Sequence, residues 1–228
     1  MILYYSYINE FSVEDLKRMV GNERLEQSLR YKMEADVKRS LLAGALLEYA
    51  ADDLKWDIRR PLKPVIDNYK KPHLYDNSNN ELHYSLSHSG DMVVCAVACN
   101  SVGVDIETIG DYRQGIVNRF FSLHERNLVY DKNSFFNIWS LKESYMKITG
   151  LGMALAMDCF YVKPDNADKT KYTYGVEDGN VSDDIVSDRL KINDRITGRI
   201  INLRDGYSAA VCGIDWNGIY EIRKVEKM

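Results

Sequence analysis

With 228 residues, 45% of them hydrophobic and 28% charged, the chain can bury one large core or two small ones, and its composition excludes disordered, collagen-like and repeat architectures. A formal net charge of −4 argues against a nucleic-acid binder, and no window approaches the roughly 18 apolar residues that span a membrane. The four cysteines, Cys95, Cys99, Cys159 and Cys212, sit in apolar runs without a CxxC pair, which points to buried reduced thiols in a cytoplasmic protein and away from zinc.

Residues 1–9 read as a first strand that starts without the basic, apolar leader of a signal peptide, and Ser12-Val13-Glu14-Asp15 reads as a capping box opening a helix. Helical stretches follow near 22–33 and 36–54, the second with Leu41, Leu42, Ala45, Leu46 and Tyr49 at helical spacing for a buried face. Arg60-Pro61-Leu62-Lys63-Pro64 separates this helical region from strands at Leu82–Leu86, Met92–Ala98 and Val102–Glu107. A helix over 113–130, with Ser122 capping its second part, and a longer one over 133–149 come next. Strands are predicted around 157–163, 170–177, 189–202 and 207–214, with a turn at Glu177-Asp178-Gly179-Asn180. Asp205–Cys212 echoes Ser89–Ala96, a hint of internal duplication. Runs of helices beside runs of strands predict α+β packing rather than a doubly wound sheet.

The chemistry starts with Asp105 and Glu107. Two apart on a strand, they point to one face while Val104 and Ile106 take the other. Carboxylates that close repel unless a proton or cation lies between them, and magnesium takes carboxylate oxygens that it shares with substrate phosphates. Taken alone, the pair is two surface acids at a strand end. In Trp139-Ser140-Leu141-Lys142-Glu143-Ser144-Tyr145-Met146-Lys147, Glu143 and Lys147 are four apart and share a helical face. Alone they make an exposed ion pair worth about 0.3–0.5 kcal/mol. Tyr84-Ser85-Leu86-Ser87-His88-Ser89-Gly90, expected between two strands, offers hydroxyls, backbone N–H groups and an imidazole, all anion-binding groups. A hydrolase reading of that segment lacks the GxSxG elbow. Lys71-Pro72 adds a basic loop upstream.

In the order Lys71-Pro72, Ser87-His88-Ser89, Gly103–Glu107 and Trp139–Lys147, these elements resemble the 4'-phosphopantetheinyl transferase superfamily, surfactin-synthetase-activating type. That family's pattern runs from a KP loop through SHS to (V/I)G(V/I)D(I/V)E and (F/W)(S/C/T)xKE(A/S)xxK. Both acidic motifs match fully, and Arg119-Phe120-Phe121-Ser122 and Glu125 between them also look like the family. The likeness covers most of residues 24–160.

The resemblance implies an α+β fold of two similar α/β halves related by a pseudo-twofold in one chain. Residues 1–104 would bind the nucleotide end of coenzyme A, and 105–228 would carry the metal and the catalytic helix. It implies an enzyme that transfers the 4'-phosphopantetheine group of coenzyme A to a serine of an apo acyl or peptidyl carrier protein in fatty-acid, polyketide or nonribosomal-peptide biosynthesis, releasing 3',5'-ADP. By the same resemblance, Asp105, Glu107 and Glu143 ligate magnesium (or manganese). Lys147 contacts the α-phosphate, and the three acids with Lys147 make up the catalytic set. Arg39, Lys71, Pro72, Ser87 and His88 hold the adenosine end and its phosphates, alongside Asp105 and Lys147 on the pyrophosphate. Lys142 is expected to point away, towards the carrier or solvent. The family's basic residues ahead of the long helix are matched loosely by Arg24 and Arg30, with Gln27 where a second cation would stand. Glu125 matches a family acid placed near the metal and reads equally as a surface helix acid. Tyr112, Arg113 and Ile116 are the expected carrier-docking segment, and the protein is expected to be a cytoplasmic monomer with no nucleic-acid or membrane partner. A magnesium-dependent hydrolase or nucleotidyl transferase, and a non-catalytic carrier- or coenzyme-A-binding module, are the competing readings.

Overall fold

The first half of the chain folds as one strand, three helices and four more strands: β1 (Ile2–Tyr7), α1 (Val13–Arg18), α2 (Asn22–Ser28), α3 (Glu34–Asp53), β2 (Val65–Ile66), β3 (Pro72–Tyr75), β4 (Glu81–Ser89) and β5 (Met92–Ala98). The computed structural model describes residues 1–152, 155–177, 193–226 and 228. The Ser12 hydroxyl opens α1 as the sequence predicts, accepting the Asp15 N–H at 3.1 Å. Along α3 the buried residues run without a break from Ser40 to Leu47, wider than an amphipathic stripe. The reason is that α3 packs on β1, β4 and β5 on one side and on α1 and α2 on another. Leu41, Leu42, Ala45 and Leu46 meet Tyr4, Val93, Cys95 and Val97 in one core, and Tyr49, half-buried, packs at its margin.

The second half repeats the plan: β6 (Val102–Thr108), α4 (Gln114–Phe120), α5 (Leu123–Arg126), α6 (Lys132–Thr149), β7 (Phe160–Pro164), β8 (Lys171–Val176), β9 (Ile196–Ile201) and β10 (Tyr207–Ile214). A last strand, β11 (Glu221–Lys224), adds to β1 in parallel, with Leu3 opposite Ile222. The chain divides into two units, Met1–Asn68 with Pro72–Cys99 and Tyr220–Met228, and Tyr69–Lys71 with Asn100–Ile219. Their sheets run β11-β1-β5-β4-β3-β2 and β6-β10-β9-β8-β7. Apart from β11, the two orders are the same when β1–β5 are read as β6–β10, and these pairings are antiparallel in both. The echo of Ser89–Ala96 in Asp205–Cys212 marks equivalent turns into β5 and β10, where Gly90 (φ 56) and Gly206 (φ 82) take left-handed backbone.

Several local expectations shift. The Ser-His-Ser segment is not a connection but the end of β4, and the turn is Gly90-Asp91. The helix over 113–130 breaks at Phe121, after which Ser122 caps α5 with a box to Glu125. A 3₁₀ turn over Met157–Cys159 precedes β7, and Cys99, one residue past β5, is exposed. Strands β2, β3 and β11 carry too little apolar alternation to be read from sequence. Asp178–Asn180 of the expected turn, and residues 189–192 of the expected strand ahead of β9, lie outside the described residues. Among the described residues, no helix is long and apolar enough to cross a membrane.

Candidate active site

The site in the second unit depends on how closely α6 lies against β6. Gly103, Asp105 and Glu107 alternate onto one face of β6. On that face a Cβ at Gly103 would stand 1.9 Å from the Ser144 carbonyl oxygen of α6. Only a residue without a side chain lets the helix backbone come so near. Val104 and Ile106 are fully buried on the opposite face, as expected from the alternation. The helix itself is fixed at both ends. Asp131 accepts the Ser134 N–H at 2.7 Å, and Gly150 (φ 72) closes the last turn with its N–H on the Met146 carbonyl.

This seating delivers Lys147 to β6. Its ammonium donates to the Val104 carbonyl at 2.8 Å and to Asp105 Oδ1 at 2.9 Å. Lys147 thus pairs with a strand acid rather than with Glu143 on its own helix. Asp105 is buried, while Glu107 and Glu143 are half-buried. The Glu143 carboxylate makes no hydrogen bond or ion pair among the described residues. Burial pushes its pKa up, the Asp105 charge pushes it further, and Lys147 pulls it partly back. Asp105 and Glu143 are therefore close enough to repel. Among the described residues, no three Asp, Glu, His or Cys side chains stand in a ready-made metal cluster. An all-oxygen donor set and the half-buried Glu143 carboxylate, which makes no hydrogen bond or ion pair among the described residues, nevertheless suit a hard divalent cation.

Lys142 corrects an expectation. It does not face solvent: its side chain is fully buried, and its ammonium donates to both Glu125 oxygens at 2.7 and 2.8 Å and to the Phe160 carbonyl at 2.7 Å. It also lies 4.2 Å from the centre of the Phe160 ring. Glu125 in turn accepts the Val162 N–H at 2.8 Å and the Ser122 N–H at 2.9 Å. Both carboxylate oxygens are thus occupied in tying α5, α6 and β7 together, so Glu125 is neither a surface acid nor a member of the Asp105 site. Burial pulls the Lys142 pKa down while Glu125 holds it up. The expected docking segment is also partly structural. Tyr112 stacks on Phe135 with ring centres 4.5 Å apart, Ile116 packs against the core, and Phe121 is fully inside it. Arg113 is exposed.

The other predicted residues are placed as follows. Lys71, in the second unit, donates to the Ile148 carbonyl at 2.9 Å and lies over Gly150, a cation at the negative end of α6. In the first unit Pro72 starts β3, and Ser87 and His88, as neighbours on β4, point to opposite faces. His88 shares its face with Tyr84 and Leu86, which pack with α3. Arg39, on α3, donates to the Gly90 carbonyl at 2.5 Å and pairs with Asp36, which brings it to the end of the Ser-His-Ser-Gly segment. Arg24 is more prominent than sequence suggested. It lies across Gly44, where a Cβ would stand 3.0 Å from its Cγ, and beside Tyr84 and Tyr31, with its pKa lowered by burial. Its guanidinium makes no hydrogen bond or ion pair among the described residues.

Residues 101–212, which contain β6, α6 and the whole acid–lysine group, match the family model of the 4'-phosphopantetheinyl transferase superfamily. Three relatives carry that activity in their names. The chain is 30% identical over 162 residues to 4'-phosphopantetheinyl transferase ffp of Bacillus subtilis, spanning 68% of this chain and 71% of the relative. It is 32% identical over 179 residues to 4'-phosphopantetheinyl transferase Sfp of Bacillus subtilis strain 168, spanning 72% and 76%. It is 29% identical over 166 residues to 4'-phosphopantetheinyl transferase gsp of Aneurinibacillus migulanus, spanning 69% and 67%.

Proposed function

Because the chain belongs to the 4'-phosphopantetheinyl transferase superfamily and is a transferase of that type, we propose that it moves the 4'-phosphopantetheine group of coenzyme A onto a serine of an apo acyl or peptidyl carrier protein, releasing 3',5'-ADP. The observation that carries this reading is the seating of α6 on Gly103, which sets Lys147 on Asp105 and Glu143 within electrostatic reach of the same acid.

In this reading Glu143 is the base. A carboxyl whose pKa is raised by burial and by a neighbouring anion holds a proton more strongly than an ordinary carboxylate, as proton abstraction from a hydroxyl requires. It takes the serine proton, the serine oxygen bonds to the β-phosphorus, and the bridging P–O bond to 3',5'-ADP breaks. Lys147, already pinned by two hydrogen bonds, keeps its remaining donor capacity for an α-phosphate oxygen, where negative charge grows as that bond breaks. Asp105 orients Lys147. Magnesium (or manganese) would be held by Asp105, Glu107 and Glu143 and would supply neutralisation of the pyrophosphate charge.

We assign the nucleotide end and its phosphates to Arg39, Pro72, Ser87 and His88, with Lys71, and add Arg24, whose half-buried guanidinium needs an anion. The protein is taken to act in the cytoplasm as a monomer, without nucleic acid or membrane.

Incubation with fluorescent coenzyme A, magnesium and an apo carrier tests the reading, and covalently labelled carrier is the expected result. Coenzyme A cleavage without labelling would identify a hydrolase. Binding of coenzyme A or carrier with neither reaction would identify a non-catalytic module.

A further inference from the structure

The turn between α2 and α3 is an exposed apolar segment that the site just described does not use. Helix α2 ends at Ser28 and α3 starts at Glu34, so five residues, Leu29-Arg30-Tyr31-Lys32-Met33, connect them. Three of the five are large and apolar, and they stand out in solvent: Leu29 is 75% exposed, Tyr31 42% and Met33 66%. Single exposed hydrophobics are ordinary, but three within five residues, alternating with two cations, are a cluster in the chain.

The segment is also held in shape. Leu29 N–H bonds the Leu25 carbonyl at 3.1 Å, Arg30 N–H the Gln27 carbonyl at 3.3 Å and Tyr31 N–H the Ser28 carbonyl at 3.2 Å. At the other end the Met33 carbonyl accepts the N–H groups of Asp36 and Val37 at 3.0 and 3.1 Å. A connection anchored at both ends by backbone bonds needs little further ordering of its main chain on binding.

Charge says what would cover it. Arg30 and Lys32 alternate with the apolar residues, both are exposed, and neither side chain makes a hydrogen bond or ion pair among the described residues. The nearest acid in sequence, Glu34, faces Lys38 at 3.7 Å. A basic, apolar patch on a chain of formal net charge −4 is complementary to an acidic protein surface that offers an apolar side chain or notch among its carboxylates. The expected docking residues Tyr112 and Ile116 pack against the second unit's core; the first unit also exposes Val65, Ile66, Tyr75 and Ile222, but Leu29, Tyr31 and Met33 are the ones that alternate with the exposed cations Arg30 and Lys32.

We propose that Leu29–Met33 is a docking patch for an acidic carrier protein, with Leu29 and Met33 as apolar anchors and Lys32 as the steering charge. The proposal rests on the transferase reading for its partner, and the test keeps the two separate. Binding of a fluorescently labelled acidic apo acyl carrier protein is measured by anisotropy without coenzyme A, beside steady-state transfer. The variant of this chain that combines Leu29→Ser, Met33→Ser and Lys32→Glu should bind the carrier more weakly, with carrier Kd and KM rising about tenfold or more. The coenzyme A KM, kcat and melting temperature should stay unchanged. Lys32→Glu alone should flatten the salt dependence of carrier association. Absence of transfer by the unaltered protein would sink the transferase reading alone, since the anisotropy arm still reads the patch. Unchanged carrier Kd in the triple variant overturns the patch, and so does an equal loss of coenzyme A affinity. Loss of binding to anionic phospholipid vesicles at unchanged carrier Kd would assign the patch to a membrane surface and overturn it too.

Discussion

Replacing Gly103 with alanine tests whether the site depends on the close approach of α6 to β6. The new methyl would stand 1.9 Å from the Ser144 carbonyl oxygen, 2.9 Å from its carbonyl carbon and 3.2 Å from Ile148 Cγ1. The first of these atoms is backbone in the middle of a capped helix, so no rotamer change relieves it. Restoring even a 3.0 Å contact moves α6 off the strand by about 1 Å, in the direction that stretches the 2.8 and 2.9 Å bonds of Lys147 to Val104 and Asp105. Overpacking of this kind costs about 1–3 kcal/mol of stability. A misplacement of about 1 Å in a catalytic group costs on the order of 10²-fold in rate. Gly103→Ala should therefore lower kcat/KM for transfer by about 10²-fold while the protein still folds, with a denaturation midpoint shifted by the smaller amount. Val104→Ala, on the opposite face of the same strand, serves as a control that loses stability through a cavity without displacing the helix. If Gly103→Ala transfers at near the parent rate, the helix does not need this contact and the site's geometry has another cause.

Lys142→Met should destabilise by about 3–5 kcal/mol in a chemical denaturation series, because it leaves Glu125 buried without its cation, and the double variant with Glu125→Gln should recover part of that. An exposed pair would give under about 1 kcal/mol, so a small effect would contradict the burial. Lys147→Ala should cost more than tenfold in kcat/KM, whereas a lesser loss would reduce Lys147 to an ion-pair partner of Asp105. For Glu143 the sign follows from a pKa raised in the fold: its ionisation is unfavourable there, so it removes stability as pH rises through its raised value. Glu143→Gln should thus raise the melting temperature at neutral pH while abolishing transfer. The gain should vanish as pH falls below the ordinary carboxylate range, where both states are protonated. In the intact enzyme kcat/KM should rise with pH through that same group. Asp105→Asn, by removing the repelling charge, should leave the Glu143-dependent step in thermal stability at lower pH.

Each pair of the acid–lysine group was legible in the sequence because its spacing is local, and the family resemblance put the two pairs together. Asp105 and Glu107 share a face by the two-residue period of a strand, and Glu143 and Lys147 by the four-residue period of a helix, and both periods survive any packing. The echo of Ser89–Ala96 in Asp205–Cys212 was likewise readable, and the common strand order of the two units gives it its meaning. What periodicity cannot carry is which face meets which element. Lys142 and Glu143 are neighbours whose sequence says only that they point in different directions; that one is a fully buried ion-pair partner of Glu125 and the other half-exposed beside Asp105 follows from the side of α6 that lies against β7. Lys147 has Glu143 one turn away on its own helix, yet it bonds β6, because Gly103 lets the strand come closer to it than its helical neighbour. Strand β11 pairs with β1, 219 positions away at Ile2–Glu221, a pairing that only chain return can set. Local composition and period thus determined which side chains share a face, the family resemblance joined them as candidates for the chemistry, and tertiary packing decided their partners, since charge, burial and close approach are properties of the space between elements rather than of the chain within them.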